Sequence, residues 1–403
     1  MVVDFDEALA IVQAAARTFA VPQIEQVALL DCVGRVLAQP VVADRDQPAF
    51  DRSTRDGFAV RAASITGGVA LRVTGQVRAG EAWAGEVVGE DSAVQIMTGA
   101  PLPAGADAVV MVEHVERADG AITLVSGRSL EPGENVVPAR AEARAGQEVL
   151  PPGTRIGAAE IALAAACGCV RLPIFMRSRV AIVATGDELV EVAEKPGPQQ
   201  IRNSNSYALA AMVTMAGAAP ERLTTAPDVR EAIRERIERG RQADLLVFSG
   251  GVSMGEYDLV EAVLAEFGAE FLFTGVRMQP GKPVVFGILP ARGDAPERYF
   301  FGLPGNPIST QVTFHCLVEP LLRLLGGEAE AKPKWAQATL LEAVAGKPGI
   351  TRLLPARMDG IGVRVVGWQG SGDLAANARA NCYAKFLPQK DYRKGEVIRV
   401  LLR

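Results

Sequence analysis

The chain has 403 residues, 49% of them hydrophobic and 22% charged, with a formal net charge of −5. That length calls for two to four domains with sizeable cores, and the acidic balance excludes a basic field for sequence-independent nucleic-acid binding. No apolar run approaches the roughly 18 residues of a membrane span, so neither nucleic acid nor membrane is expected as a partner.

Residues 4–17 read as a helix, with Ala8, Leu9, Val12 and Ala15 on one face. Ile24 to Leu37 reads as extended and then turned, and Pro40, Pro48 and Asp44-Arg45-Asp46 mark a loop. From about residue 46 to 139 short apolar runs (Val69–Val73, Ala93–Met97, Ala108–Val112, Ala121–Val125) are cut by Gly and Pro, the pattern of a compact β module. Helical character returns at Ala158 to Cys167, so that module is an insertion. The pattern then changes to strand–helix alternation. Val180–Ala184, Leu245–Phe248, Phe271–Met278, Val284–Leu289 and Tyr299–Leu303 are expected strands. Helices are expected from Asn203 or Ser204 through Ala216, over 228–239 and 258–267, and from Pro307 to Leu325. This is a doubly wound α/β layout. After Gly326-Gly327 the chain reads as a small β domain to Arg403.

The five cysteines (Cys32, Cys167, Cys169, Cys316, Cys382) are scattered and odd in number, and Met-Val-Val-Asp-Phe-Asp-Glu has no signal-peptide pattern; a reduced, cytoplasmic protein is expected. Cys167-x-Cys169 lacks the second pair of a zinc knuckle. His114 and His315, the two histidines, stand in no metal-ligand spacing, so carboxylates, lysine and a metal must carry any chemistry.

Three loops follow three of the apolar strands: Thr185-Gly186-Asp187-Glu188, Ser249-Gly250-Gly251 and Gly302-Leu303-Pro304-Gly305-Asn306-Pro307. Parallel strands would bring them to one edge, where ligands of open α/β sheets bind. Glycine backbone and hydroxyls there, Ser253 included, supply donors for phosphate, and Asp187, Glu188 and Asp258 offer the hard oxygens that suit Mg²⁺. Gly275-x5-Gly281-Lys282-Pro283 is one residue too long for a P-loop and carries Pro where Ser or Thr would bind magnesium; Lys282 remains a point charge for an anion. Asp56-Gly57, flanked by Arg52 and Arg55, is either a charged turn or a carboxylate carried to the sheet edge or to a neighbouring subunit.

Several of these stretches together resemble the molybdopterin molybdenumtransferase family, which includes the E domain of gephyrin. The resemblance spans nearly the whole chain: Ser53-Thr54-Arg55-Asp56-Gly57-Phe58-Ala59-Val60, Ile96-Met97-Thr98-Gly99-Ala100-Pro101-Leu102-Pro103, Ala184-Thr185-Gly186-Asp187-Glu188-Leu189, Asn203-Ser204-Asn205, Ser249-Gly250-Gly251-Val252-Ser253, Pro280-Gly281-Lys282-Pro283 and Gly302-Leu303-Pro304-Gly305-Asn306-Pro307. It implies an elongated, mixed α+β dimerisation domain (1–45 and 140–176), an inserted β module (46–139), a mostly parallel α/β molybdopterin-binding domain (177–327) and a small C-terminal β-barrel-like domain (328–403). It implies a homodimer that inserts molybdate into adenylylated molybdopterin and releases AMP with Mg²⁺. Asp56 and Thr98 would enter the cleft from the β module, with Asp187, Glu188, Ser249, Gly250, Gly251, Asp258, Lys282, Pro304 and Asn306 opposite. The catalytic set is Asp56, Thr98, Asp258 and Lys282; Thr185, Gly186, Ser249, Gly250, Gly251, Ser253, Pro304, Gly305 and Asn306 bind the pterin; Asp187 and Glu188 hold the metal. The sequence departs from the family pattern at Thr54-Arg55, Thr225-Ala226, the stretch 137–142, Gly275 and Gln279, the last two standing where lysines are usual. A molybdopterin carrier that has lost insertion chemistry is the alternative reading, and a nucleotide hydrolase is disfavoured because it needs neither β region.

Overall fold

The strands Arg179–Ala184 (β1), Ala219–Arg222 (β2), Leu245–Ser249 (β3), Glu270–Phe273 (β4), Val285–Leu289 (β5) and Arg298–Leu303 (β6) form one sheet in the order β2-β1-β3-β6-β5-β4. The first four in that order run parallel; β5 pairs antiparallel with β6, and β4 antiparallel with β5. Side chains alternate between two cores. Val180, Ile182, Leu245, Val247, Tyr299 and Phe301 face one, and Ala181, Val183, Leu246, Phe248 and Phe300 the other. Burial on both faces is why these strands read as unbroken apolar runs. The helices Asn205–Met215 (α1) and Pro307–Thr313 (α4) cover the first face; Arg230–Gly240 (α2) and Leu259–Glu266 (α3) cover the second. On α2, Ile233 and Ile237 are one turn apart and fully buried, contributing about 2 kcal/mol each.

The computed structural model describes residues 1–17, 22–66, 68–251, 259–293 and 295–403. Contacts divide it into two units, one of residues Met1–Ala38, Pro152–Gly157 and Arg171–Arg403, the other of Gln39–Pro151 and Ala158–Val170. Among the described residues no helix is long and apolar enough to cross a membrane.

Two expected elements differ in detail. The apolar run 271–278 is three short pieces rather than one strand. After β4 ends, Gly275–Val276 pairs in parallel with Val2–Val3, and Met278–Gln279 pairs with Thr351 and Arg352. The helix expected from Pro307 to Leu325 contains a wide π segment, Phe314–Val318, before Glu319–Leu325. Pro320 has no N–H for the carbonyl one turn back, which relaxes the tighter repeat there.

In the second unit a six-stranded sheet includes Gly57–Val60 between Ser92–Ile96 and Ala108–Met111. Phe58, Val60 and Ala108 face one side of that sheet, and Ala59, Val94 and Val109 the other. At the C-terminus Trp335–Leu340, Thr351–Asp359, Gly362–Val365, Cys382–Phe386 and Val397–Leu402 close on themselves through the pairing of Thr351–Asp359 with Cys382–Phe386.

Candidate active site

The strand order reverses between β1 and β3, which opens a crevice at their carboxyl ends. A cavity of about 330 Å³ lies there. Thr185, Gly186 and Glu188 border it from the loop after β1, Ser249, Gly250 and Gly251 from the end of β3, and Pro304, Gly305 and Asn306 from the loop after β6. Parallel register is what gathers them: Ala184 pairs with Ser249, and Ser249 with Leu303.

Glycine is required in these turns by close approach. Gly250 has φ +96°, and a Cβ there would lie 2.7 Å from the Thr185 carbonyl oxygen. At Gly251, φ +63°, a Cβ would meet the Thr185 hydroxyl at 2.8 Å. That hydroxyl is buried and has no hydrogen-bond partner among the described residues. An unsatisfied buried hydroxyl costs about 1–3 kcal/mol, a cost that a phosphate oxygen at this point would relieve.

Asn205, at the start of α1, ties the loops after β3 and β6 together. Its amide Nδ2 donates to Ser249 Oγ at 2.9 Å and to the Gly305 carbonyl at 2.7 Å. Thr310 on α4 donates to the Pro304 carbonyl at 2.5 Å, holding the third loop from the other side. The carboxylates are also positioned by backbone: Asp187 Oδ1 accepts the Asp228 N–H at 3.0 Å, and Asp228 and Glu188 both border the cavity.

Three sequence models match the chain: the MoeA N-terminal region (domain I and II) over residues 3–168, a probable molybdopterin binding domain over 181–324, and the MoeA C-terminal region (domain IV) over 337–402. The chain belongs to the MoeA family. The MoeA relatives include the molybdopterin molybdenumtransferase of Haemophilus influenzae, 34% identical over 90% of this chain and 89% of its own length. That of Bacillus subtilis is 34% identical over 94% of this chain and 90% of its own. Among solved structures, the molybdopterin biosynthesis MoeA protein of Pyrococcus horikoshii OT3 superposes with a TM-score of 0.79 at 27% identity, covering 100% of both chains. A second MoeA structure from that organism gives 0.73 at 32% identity, covering 100% of this chain and 99% of its own.

Against the MoeA pattern, the remaining site residues fall in separate places. Lys282 is exposed and borders a neighbouring cavity of about 450 Å³, with Gln279 and Lys347; Pro283 borders both cavities. Lys347 donates to Gln279 Oε1 at 3.0 Å, so a lysine from the C-terminal portion reaches the position where the MoeA pattern usually has one. Thr225 accepts a hydrogen bond from Asn203 Nδ2 at 3.1 Å instead of offering a carboxylate. Ser253 and Asp258 lie outside the described residues.

In the second unit, pairing of Gly57 with Ile96 sets Asp56 beside Thr98. Asp56 Oδ1 accepts the Thr98 N–H at 2.7 Å and its hydroxyl at 3.0 Å. The backbone bond first and the hydroxyl second hold the Asp56 carboxyl below its ordinary 3.8. Gly57 must be glycine, since a Cβ would lie 2.0 Å from the Val110 carbonyl oxygen. His315 has an orienting partner that its spacing does not reveal: its Nδ1 lies 2.8 Å from Glu319 Oε2.

Sequence reasoning missed Arg202, Asn205 and Asp228 as site residues. The stretch Asn203-Ser204-Asn205 was a visible signal for the second; the other two are single charged residues with no spacing to mark them.

Proposed function

We propose that this MoeA-family chain is a molybdopterin molybdenumtransferase, which inserts molybdate into adenylylated molybdopterin and releases AMP. The observation that carries the reading is the convergence of three glycine-rich loops on one cavity, with a Thr185 hydroxyl that has no partner among the described residues turned toward Gly250 and Gly251. Backbone N–H groups and hydroxyls held this way are preorganised for phosphate oxygens. The chain's residues bind and orient the phosphoanhydride, and Asp56 with Thr98 helps position molybdate. Its assembly in this proposal is a homodimer.

Among the described residues no three metal-ligating side chains cluster. The donor set nevertheless suits Mg²⁺, which takes one or two carboxylates plus phosphate oxygens and waters. Glu188 and Asp228 border the cavity, and Asp187 keeps one oxygen outside its bond to the Asp228 N–H. Bound there, Mg²⁺ would offset phosphate charge and polarise the anhydride.

Incubating the purified chain with adenylylated molybdopterin, Mg²⁺ and molybdate should release AMP. Release no greater than in a buffer blank, beside a working control enzyme, would reject the transferase. Gln279, uncharged, favours the carrier as second reading; tight pterin binding without AMP release would select it.

A further inference from the structure

Among the described residues, those bordering the main cavity include two carboxylates, Glu188 and Asp228, and a single cation, Arg202. A polyanionic ligand entering such a cavity needs that cation. The position of Arg202 is fixed by a short parallel ladder. Leu189 pairs with Ile201 and Val190 with Arg202. The Ile201 N–H donates to the Glu188 carbonyl at 2.8 Å, and the Asn203 N–H to the Val190 carbonyl at 2.8 Å. Arg202 is thereby held directly against the loop that carries Asp187 and Glu188.

Its guanidinium is used on one edge only. Nε donates to the Val192 carbonyl at 3.0 Å and to the Glu194 carbonyl at 3.1 Å. Both acceptors belong to the excursion of residues 191–200 that leaves the ladder at Val190 and returns at Ile201. Among the described residues no hydrogen bond or ion pair engages the two terminal amino groups, and no carboxylate neutralises them. A planar fork with its side edge anchored and its end edge unused is arranged for bidentate contact with phosphate.

We propose that Arg202 is the phosphate-reading residue of this cavity, and that its Nε bonds transmit ligand occupancy to the excursion 191–200. The proposal rests on the functional reading above, in that the ligand carries a phosphate. It identifies which side chain meets that phosphate and which backbone segment responds.

The test uses AMP and adenosine as probes, titrated calorimetrically into the whole chain and into the variants Arg202→Gln and Arg202→Lys. AMP affinity should fall about 10- to 100-fold in Arg202→Gln, the effect of one or two charge-assisted hydrogen bonds, while adenosine binding stays unchanged. Arg202→Lys should recover part of the AMP affinity as a point charge. Hydrogen exchange in residues 191–200 should slow on AMP binding in the parent chain and remain unaltered in both variants, since lysine cannot bridge to both carbonyls. Equal AMP affinity in the parent chain and Arg202→Gln would overturn the role of Arg202 and leave the transferase reading standing. A parent chain that binds no AMP would overturn both.

Discussion

Replacing Asn205 tests whether the loops after β3 and β6 act as one unit. The amide orientation is decided by the Gly305 carbonyl, an acceptor at 2.7 Å that only the NH₂ side can meet. With Ser249 Oγ at 2.9 Å the side chain makes two good bonds; the 3.4 Å contact to Thr310 Oγ1 is long and adds little. At about 1 kcal/mol net for each, Asn205→Ala should lower stability by roughly 2 kcal/mol. Asn205→Asp is the sharper variant. It keeps the size, loses both donors, and sets a carboxylate against a carbonyl, so it should be less stable than the alanine variant by about another 1 kcal/mol. Catalysis should suffer more than stability, because a 1 Å displacement of positioning groups costs on the order of 100-fold. Urea midpoints and AMP-release kcat, measured on the parent chain and both variants, check the ranking. A fully active Asn205→Asp enzyme would refute the tie between the loops.

Gly250→Ala should cost roughly 2–4 kcal/mol, combining a left-handed backbone with a clash against the Thr185 carbonyl at 2.7 Å, and should abolish AMP binding; denaturant unfolding and calorimetry read the two effects. Thr98→Val removes the hydroxyl bond to Asp56 and keeps the backbone bond. Because the folded carboxyl lies below its ordinary value, its bonds contribute above the usual aspartate range and are lost as pH falls through the lowered pKa, so carboxyl NMR should show that loss at higher pH in the variant. Burial pushes Glu319 up, but hydrogen bonds from His315 and Lys334 outweigh it and bring the carboxyl from 4.5 to about 2. About 3 kcal/mol of stability should therefore be present above pH 4.5 and drain away between there and pH 2. Lys334→Met should move that loss to higher pH in acid-unfolding curves.

The elements that were easiest to read were those with one partner set. β1, β3 and β6 lie inside a two-faced sheet, so between their polar ends (Arg179, Ser249, Arg298) the positions carry no charged residue and read as one apolar run. The segment 271–278 is mostly apolar, yet it serves three pairings in turn, with β5, with Val2–Val3 and with Thr351–Arg352. Local composition records that a residue is buried and not which strand buries it. The same limit explains the helix after Pro307. Its apolar periodicity is continuous, and the π segment answers to a single proline.

The loops of the site were legible because glycine and proline are chemically conspicuous and because parallel strands force their ends together. Arg202 was not, because an isolated charged residue carries no periodicity, and Asn205 was marked only by its place in Asn203-Ser204-Asn205. Lys282 was placed opposite Asp56 and Thr98 through the Pro280-Gly281-Lys282-Pro283 motif; the structure puts it in the neighbouring cavity with Lys347, and Pro283 borders both cavities. This rearranges the charge argument. Counting lysines along the sequence, at 275, 279 and 282, gives a chain short of cations. In space, Lys347 reaches Gln279 from the segment before Thr351–Asp359, which pairs with Met278–Gln279, and Arg202 borders the main cavity through its pairing beside the Asp187-Glu188 loop. A site assembled this way tolerates the loss of a motif lysine as long as another strand edge brings a cation to the same place. Exchanging the pair, Gln279→Lys with Lys347→Gln, should then retain AMP release, whereas Lys347→Gln alone should lower it roughly 10-fold, the effect of one charge-assisted contact. A double variant no more active than the single one would show that the place of the charge is not what matters.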